Sequence, residues 1–162
     1  MAVHGRWVQA PGKMLFERLH EAYDPLPVVA EDLGVITPEV EALRDGFGLP
    51  GMKILQFAFS GGPSNPYLPY NYPERSVVYT GTHDNDTTIG WFAGLSDGER
   101  AHVEDFLGHP AEPMPWPLIR CALASRARLA MLPLQDLLEL DGRHRMNLPG
   151  TDAGNWGWRF DW

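Results

Sequence analysis

Acidic side chains fall directly after two short apolar runs. Glu31 and Asp32 follow Pro27-Val-Val-Ala30, and Asp84 and Asp86 follow Ser76-Val-Val-Tyr-Thr-Gly81. Two carboxyl groups flanking one bond can divide labour. One stays protonated to deliver a proton, and the other stays ionised to attack or to stabilise a developing positive charge. Cleavage at an acetal carbon needs that division. In α/β barrels such groups stand at the C-terminal ends of different parallel strands, which converge on one face.

Other chemistries compete for the same residues. An adjacent His83-Asp84 pair could ligate a metal, as in metal-dependent phosphohydrolases. Asp84-x-Asp86 has the opening of a calcium loop, but neither the glycine nor the closing glutamate falls where that loop needs it. Asp84 and Asp86 could also cap a helix beginning near Thr87, a reading that suits Asp86 better. His4, His20, His102, His109 and His144 show no ligand-like spacing and read as surface or structural residues. No metal and no cofactor is expected.

The elements that must position these groups follow from periodicity. Leu15, Phe16, Leu19 and Tyr23 recur every three or four residues, predicting a helix over 11–23 that Asp24-Pro25 ends. Pro27 to Ala30 is wholly apolar, as expected of a strand buried on both faces. Thr37 as N-cap and Pro38 at the first helical position open a second helix, with Val40, Leu43 and Phe47 on one face and Gly48 as its stop. Strands are predicted over 52–59, 76–81 and, weakened by Pro133, 129–134. A Gly/Pro/Asn/Tyr loop is expected over about 60–75. Helices are expected from Thr88, from the capping box Ser96-x-x-Glu99 with Val103, Phe106 and Leu107 inward, and from Pro117 with Leu118, Ile119, Ala122 and Leu123 inward. A short helix is expected over 135–140, and the tail from Gly142 reads as loop. Strands alternating with helices argue for parallel βα units; four strands do not complete an eight-stranded barrel.

Composition narrows the partners. Thirteen Lys and Arg against 21 Asp and Glu give a net charge of −8, which opposes binding to nucleic acid or an anionic membrane. No uninterrupted apolar stretch approaches the ~18 residues of a membrane span, and the N-terminal residues lack an apolar leader core, so a cytoplasmic location is expected. Cys121, the only cysteine, has no disulfide partner and sits in a helical core pattern. Six Trp, five Tyr and seven Phe stand among 17 Gly and 15 Pro, many in loops such as Asn65-Pro-Tyr-Leu-Pro-Tyr-Asn-Tyr-Pro73 and Asn155-Trp-Gly-Trp158. Loop aromatics beside polar groups suit the flat C–H face of a sugar ring, although for most of them the expected role is to cover the core or fill gaps between elements.

With these residues in view the chain resembles a known family. Val29-Ala-Glu-Asp-Leu-Gly34 with Ile36-Thr-Pro-Glu-Val40, then Gly48-Leu-Pro-Gly-Met-Lys53 with Leu55-Gln-Phe-Ala-Phe59, are similar to consecutive segments of the 4-alpha-glucanotransferases, the amylomaltase and disproportionating-enzyme family. Asn71-Tyr-Pro73, Val78-Tyr-Thr-Gly-Thr-His-Asp-Asn-Asp-Thr-Thr88, Pro133-x-Gln-Asp136, Met146-Asn-x-Pro-Gly150 and Asn155-Trp-x-Trp-Arg159 continue it in order. The resemblance implies an α/β fold, with residues 1–162 as a single unit forming the C-terminal half of a (β/α)8 TIM barrel, about strands five to eight, with helical insertions. It implies retaining transfer of alpha-1,4-glucan segments between maltodextrins or to a glucose acceptor. It makes Glu31 the general acid/base and Asp84 the transition-state stabiliser, with Asp32, Gln56, His83 and Asn85 lining the donor site.

One family element lies outside the matching segments. The retaining mechanism uses a nucleophilic aspartate in an Arg-Ile-Asp-His-type segment upstream of the Gly5-Arg6-Trp7 run, and this chain starts downstream of it. The expectation is a chain inactive alone, whose partner is the N-terminal half of the barrel. A half barrel is also expected to associate or aggregate through its open edges. Two other readings stay open: a non-catalytic glucan-binding remnant, and a His-Asp metal hydrolase.

Overall fold

The computed structural model describes residues 5, 6 and 8–161. His4 and Trp7, named above in the histidine set and the Gly5-Arg6-Trp7 run, lie outside them. The chain divides into two compact units, residues 1–51 and 52–162.

In the first unit, helix α1 covers Gly12–Ala22 and helix α2 covers Pro38–Gly46. Phe16 of α1 packs its ring 5.4 Å from that of Phe47, just past α2, and His20 lies 5.7 Å from the same ring. Thr37 occupies the N-cap position of α2 and Pro38 its first turn, although the threonine side chain makes no capping bond. Gly48 ends the helix in the left-handed region at φ +64, where a side chain would be strained. Neither helix contains a fully buried residue, and Leu15, Tyr23 and Val40, which the pattern points inward, stay exposed.

The run over 27–30 is not the doubly buried strand its composition suggests. It makes one parallel bridge, Ala30 to Gly51, with the Ala30 N–H donating to Pro50 O at 2.9 Å. Val28 and Val29 are 39% and 40% exposed. A strand is buried on both faces only when neighbours and covering helices exist on both sides.

The second unit is built on a three-stranded sheet in the order β1-β2-β3: β1 is Gly51–Ile54, β2 is Ser76–Tyr79 and β3 is Leu129–Met131. Strands β2 and β3 run parallel, with Val77 opposite Leu129, Val78 opposite Ala130 and Tyr79 opposite Met131. Helices α3 (Thr88–Gly94), α4 (Asp97–Leu107), α5 (Trp116–Leu123) and α6 (Leu134–Leu137) complete it. Leu55, Tyr72, Val78, Leu118 and Ala122 form the buried core, so one face of β2 packs on the Leu118 side of α5. Leu123, also expected inward, is 65% exposed. The capping box of α4 forms in both directions, and Gly108 closes the helix at φ +76. Cys121 lies in the packing around this core, where burial pushes its thiol up to about 11 and keeps it neutral.

The strand predicted over 52–59 stops at Ile54, and Leu55–Phe57 turn into a 3₁₀ helix. The backbone there finds side-chain partners in place of a ladder. Asn65 Nδ2 donates to the carbonyls of Phe57, Ala58 and Ser60 at 2.8, 3.1 and 2.7 Å. The local pattern of residues 52–59 cannot reveal that exchange. The strand predicted over 129–134 likewise stops at Met131, because Pro133 has no N–H for a ladder and instead starts α6. Among the described residues no helix is long and apolar enough to cross a membrane.

Candidate active site

Strand β2 delivers the chain to a tight loop that holds His83 and Asp84. Asn85 Oδ1 accepts from the Thr82 N–H at 2.9 Å and from Thr82 Oγ1 at 2.8 Å, while the Asn85 N–H donates to Thr82 O at 3.1 Å. Residues 82–85 therefore form a self-closed turn, and His83 and Asp84 at its tip keep side chains 52% and 53% exposed. His83 Nε2 lies 3.4 Å from Asp84 Oδ1.

The loop is supported from its buried side. Gln56, only 8% exposed, donates from Nε2 to Asp86 O at 2.9 Å. Gly81 leaves room for this contact, because a Cβ there would come within 2.7 Å of that amide nitrogen and displace it. Asp86 does not cap the following helix. Thr87 does, accepting from the Gly90 N–H at 3.1 Å. The Asp86 carboxylate instead lies against Gly90 and Gly142, where any Cβ would collide with it, and 3.9 Å from Arg145.

The C-terminal tail closes over this loop although it has almost no regular structure. Asn147 Nδ2 donates to Asp84 Oδ1 at 2.6 Å, and the Asn147 N–H donates to His83 O at 3.1 Å. The Arg145 guanidinium donates to Asp84 O at 3.0 Å and to Asn147 O at 2.9 Å. The Trp156 ring lies 5.0 Å from that of His83 and remains 54% exposed. Trp156 also holds φ +60, unusual for a bulky residue, with its N–H donating to Met146 O at 2.7 Å. Asn155 secures the tail's own turn, accepting from the Leu148 N–H and donating to Thr151. Arg145, Asn147 and Trp156 thus belong to the site without having been singled out individually by sequence reasoning. The Met146-Asn-x-Pro-Gly150 and Asn155-Trp-x-Trp-Arg159 motifs were the signal.

At the base of the tail, Asp141 accepts from the Arg143 backbone and guanidinium. The Arg143 side-chain hydrogen bond, the largest cause, holds the Asp141 carboxyl at about 2, below its ordinary 3.8. A carboxyl depressed in the folded state contributes stability above its unfolded value and loses it as pH falls through the folded one. This turn is therefore expected to hold at pH 4 and above and to loosen on acidification toward ~2. Carbon-detected NMR titration of Asp141 checks this; a midpoint near the ordinary aspartate value would contradict it.

In the first unit, Glu31 follows the Ala30 bridge and is exposed. Asp32 beside it is turned inward, its side chain 5% exposed, and pairs with Arg44 of α2. Arg44 Nε also donates to Asp45 at 2.8 Å. Gly51 lies against the Asp32 carboxylate, which leaves no room for a Cβ. The family resemblance implies a donor-site role for Asp32; its pairing with Arg44 carries no signal in the sequence pattern. Among the described residues, no group of three or more His, Cys, Asp or Glu is arranged to hold a metal ion.

In the second unit, then, an exposed carboxylate stands at a loop tip after a parallel strand with an aromatic ring close by, an arrangement that can meet both a hydroxyl and a C–H face. Comparison with known proteins names the family. The family model described as 4-alpha-glucanotransferase matches residues 1–162, and this chain belongs to that family. It is 55% identical to a 4-alpha-glucanotransferase of Thermus thermophilus over 98% of its own length and 33% of that protein's. It is 58% identical to one from Synechocystis, over 98% of this chain and 32% of the relative. A solved amylomaltase from Streptococcus agalactiae, in complex with acarbose, superposes with a TM-score of 0.90 at 39% identity, covering 97% of this chain and 32% of that one. The chain thus spans about a third of the length of the relatives it matches.

Proposed function

We propose that this chain is the C-terminal half of a (β/α)8 barrel with helical insertions, about strands five to eight, and supplies two of the three catalytic carboxylates of a cytoplasmic 4-alpha-glucanotransferase. Glu31 protonates the leaving glycosidic oxygen, and after the donor segment is transferred to the enzyme it deprotonates the acceptor hydroxyl of a maltodextrin or of glucose. Asp84 and His83 hold sugar hydroxyls through contacts that strengthen as the ring flattens toward an oxocarbenium-like state. The nucleophile comes from the upstream half of the barrel, which is the chain's partner in this reading. Asp32, held by Arg44, and Gln56, held by the Asp86 carbonyl, act mainly by fixing the loops of Glu31 and Asp84, and Asn85 acts by closing the turn.

The observation that carries this reading is the Asp84 carboxylate. Asn147 orients one of its oxygens, the side chain stays half exposed, and the His83–Trp156 pair stands beside it. A directed carboxylate next to an open aromatic face is what recognition of a sugar hydroxyl and its C–H face requires. Acarbose, the ligand of the Streptococcus agalactiae relative, is the natural probe. Titrating it into the chain is expected to shift the NMR signals of the His83 ring and the Trp156 indole first. Trp156→Ala is expected to weaken binding roughly tenfold, the scale of one aromatic contact. Binding that leaves both residues unperturbed, or that ignores the substitution, would contradict the proposal.

A further inference from the structure

Beneath the His83–Asp84 loop lies a buried carboxylate that the proposed chemistry does not use. Asp136 is 2% exposed. Its Oδ2 accepts from Thr80 Oγ1 at 2.6 Å and from Thr88 Oγ1 at 2.7 Å, and its Oδ1 accepts from the Thr88 N–H at 2.8 Å. Thr80 immediately follows β2 and Thr88 opens α3, and both are fully buried. One side chain therefore ties together the two ends of the loop whose tip carries His83 and Asp84.

Its neighbour holds the other side of the site. Gln135, 8% exposed, donates from Nε2 to His144 O at 3.3 Å. His144 directly precedes Arg145, and Arg145 with Asn147 grips Asp84. Both supporting side chains come from the single turn α6, which begins where Pro133 ends β3. The same turn thus fixes the loop that presents Asp84 and the segment that orients it.

We infer that Gln135 and Asp136 are the positioning residues of the Asp84 site, with Asp136 setting the span of the loop and Gln135 setting the approach of the Asn147 segment. The inference deepens the proposed function and rests on it only for its consequence in glucan binding. The role is geometric and does not require the negative charge. Hydroxyls both donate and accept, so an asparagine at 136 can keep all three contacts with the two threonine hydroxyls turned round. A leucine keeps none of them and leaves three buried polar groups without partners.

The test compares Asp136→Asn and Asp136→Leu in the chain as it stands, with two readouts. Ligand-free NMR reads the contact between the His83 and Trp156 rings, while the Leu55, Val78 and Leu118 methyl signals report the core. Asp136→Leu is expected to lose the ring contact with the core signals kept, and Asp136→Asn to restore it. Should Asp136→Leu fail to fold, the Thr80→Val, Thr88→Val double variant, which removes both hydroxyl donors at nearly constant volume, is expected to give the same loss. The second readout is acarbose affinity, expected to fall roughly tenfold or more in the leucine variant and to stay within about twofold of the parent in the asparagine variant. A ring contact preserved in a folded leucine or double-valine variant overturns the inference, as does one lost in Asp136→Asn. If the unaltered chain binds no acarbose while the ring contact responds as described, the functional reading fails and the positioning role stands.

Discussion

Glucan transfer is expected to fall by roughly 10²- to 10⁴-fold when Glu31 is exchanged for Gln, the range for loss of a general acid/base. The assay enzyme is a chimera in which this chain replaces the matching third of the Thermus thermophilus relative, so that the upstream part is supplied. The loss should lie in kcat, because a glutamine still fills the site but cannot deliver a proton to the leaving oxygen. The fold is expected to survive, since Glu31 is exposed and the neighbouring Asp32–Arg44 pair is left in place. Donors with leaving groups that need no protonation should recover the first step and not the second. Maltotriose disproportionation against release of fluoride from a maltosyl fluoride separates the two. First-turnover release of fluoride that is slowed as much as maltotriose transfer would argue that Glu31 does something other than protonate the leaving oxygen.

Asp84→Asn is expected to cost about 10²- to 10³-fold in kcat, the scale of removing one preorganised charge from a transition state. This substitution is unusually clean. Asn147 donates to Asp84 Oδ1, and an asparagine at 84 retains an oxygen there, so the tail stays anchored while the charge disappears. KM should change little, because the contacts that matter strengthen only as the ring flattens. Steady-state kinetics of the same chimera on maltotriose checks the split; a rise in KM with kcat unchanged would make Asp84 a simple ligand.

Part of this arrangement is legible in the sequence alone. His83 and Asp84 after the 76–81 run mark the tip of the turn that follows β2, and the capping box, Pro38 and Gly48 mark helix ends that form as expected. What stayed hidden depends on partners distant in sequence. Asp136 reads as one acidic residue in a short helix until Thr80 and Thr88, 56 and 48 positions away, converge on it. Asn147 reads as loop until it meets Asp84, 63 residues earlier. The end of β1 at Ile54 depended on Asn65 collecting carbonyls, which no periodicity encodes. Asp86 looked like a cap because it precedes a helix, yet Thr87 lies one residue closer and takes that role.

The central claim is a division of labour: this chain carries the acid/base and the stabilising carboxylate, and the nucleophile lies outside it. Trapping the covalent intermediate tests that directly. The chimera carrying Glu31→Gln is incubated with a maltosyl fluoride, whose leaving group needs no acid, so the glycosyl-enzyme forms and its breakdown is slow. Peptide mapping by mass spectrometry is expected to find the maltosyl adduct in the upstream part, with every peptide from residues 1–162 unmodified. An adduct on Asp84, or on any other residue of this chain, would contradict the account.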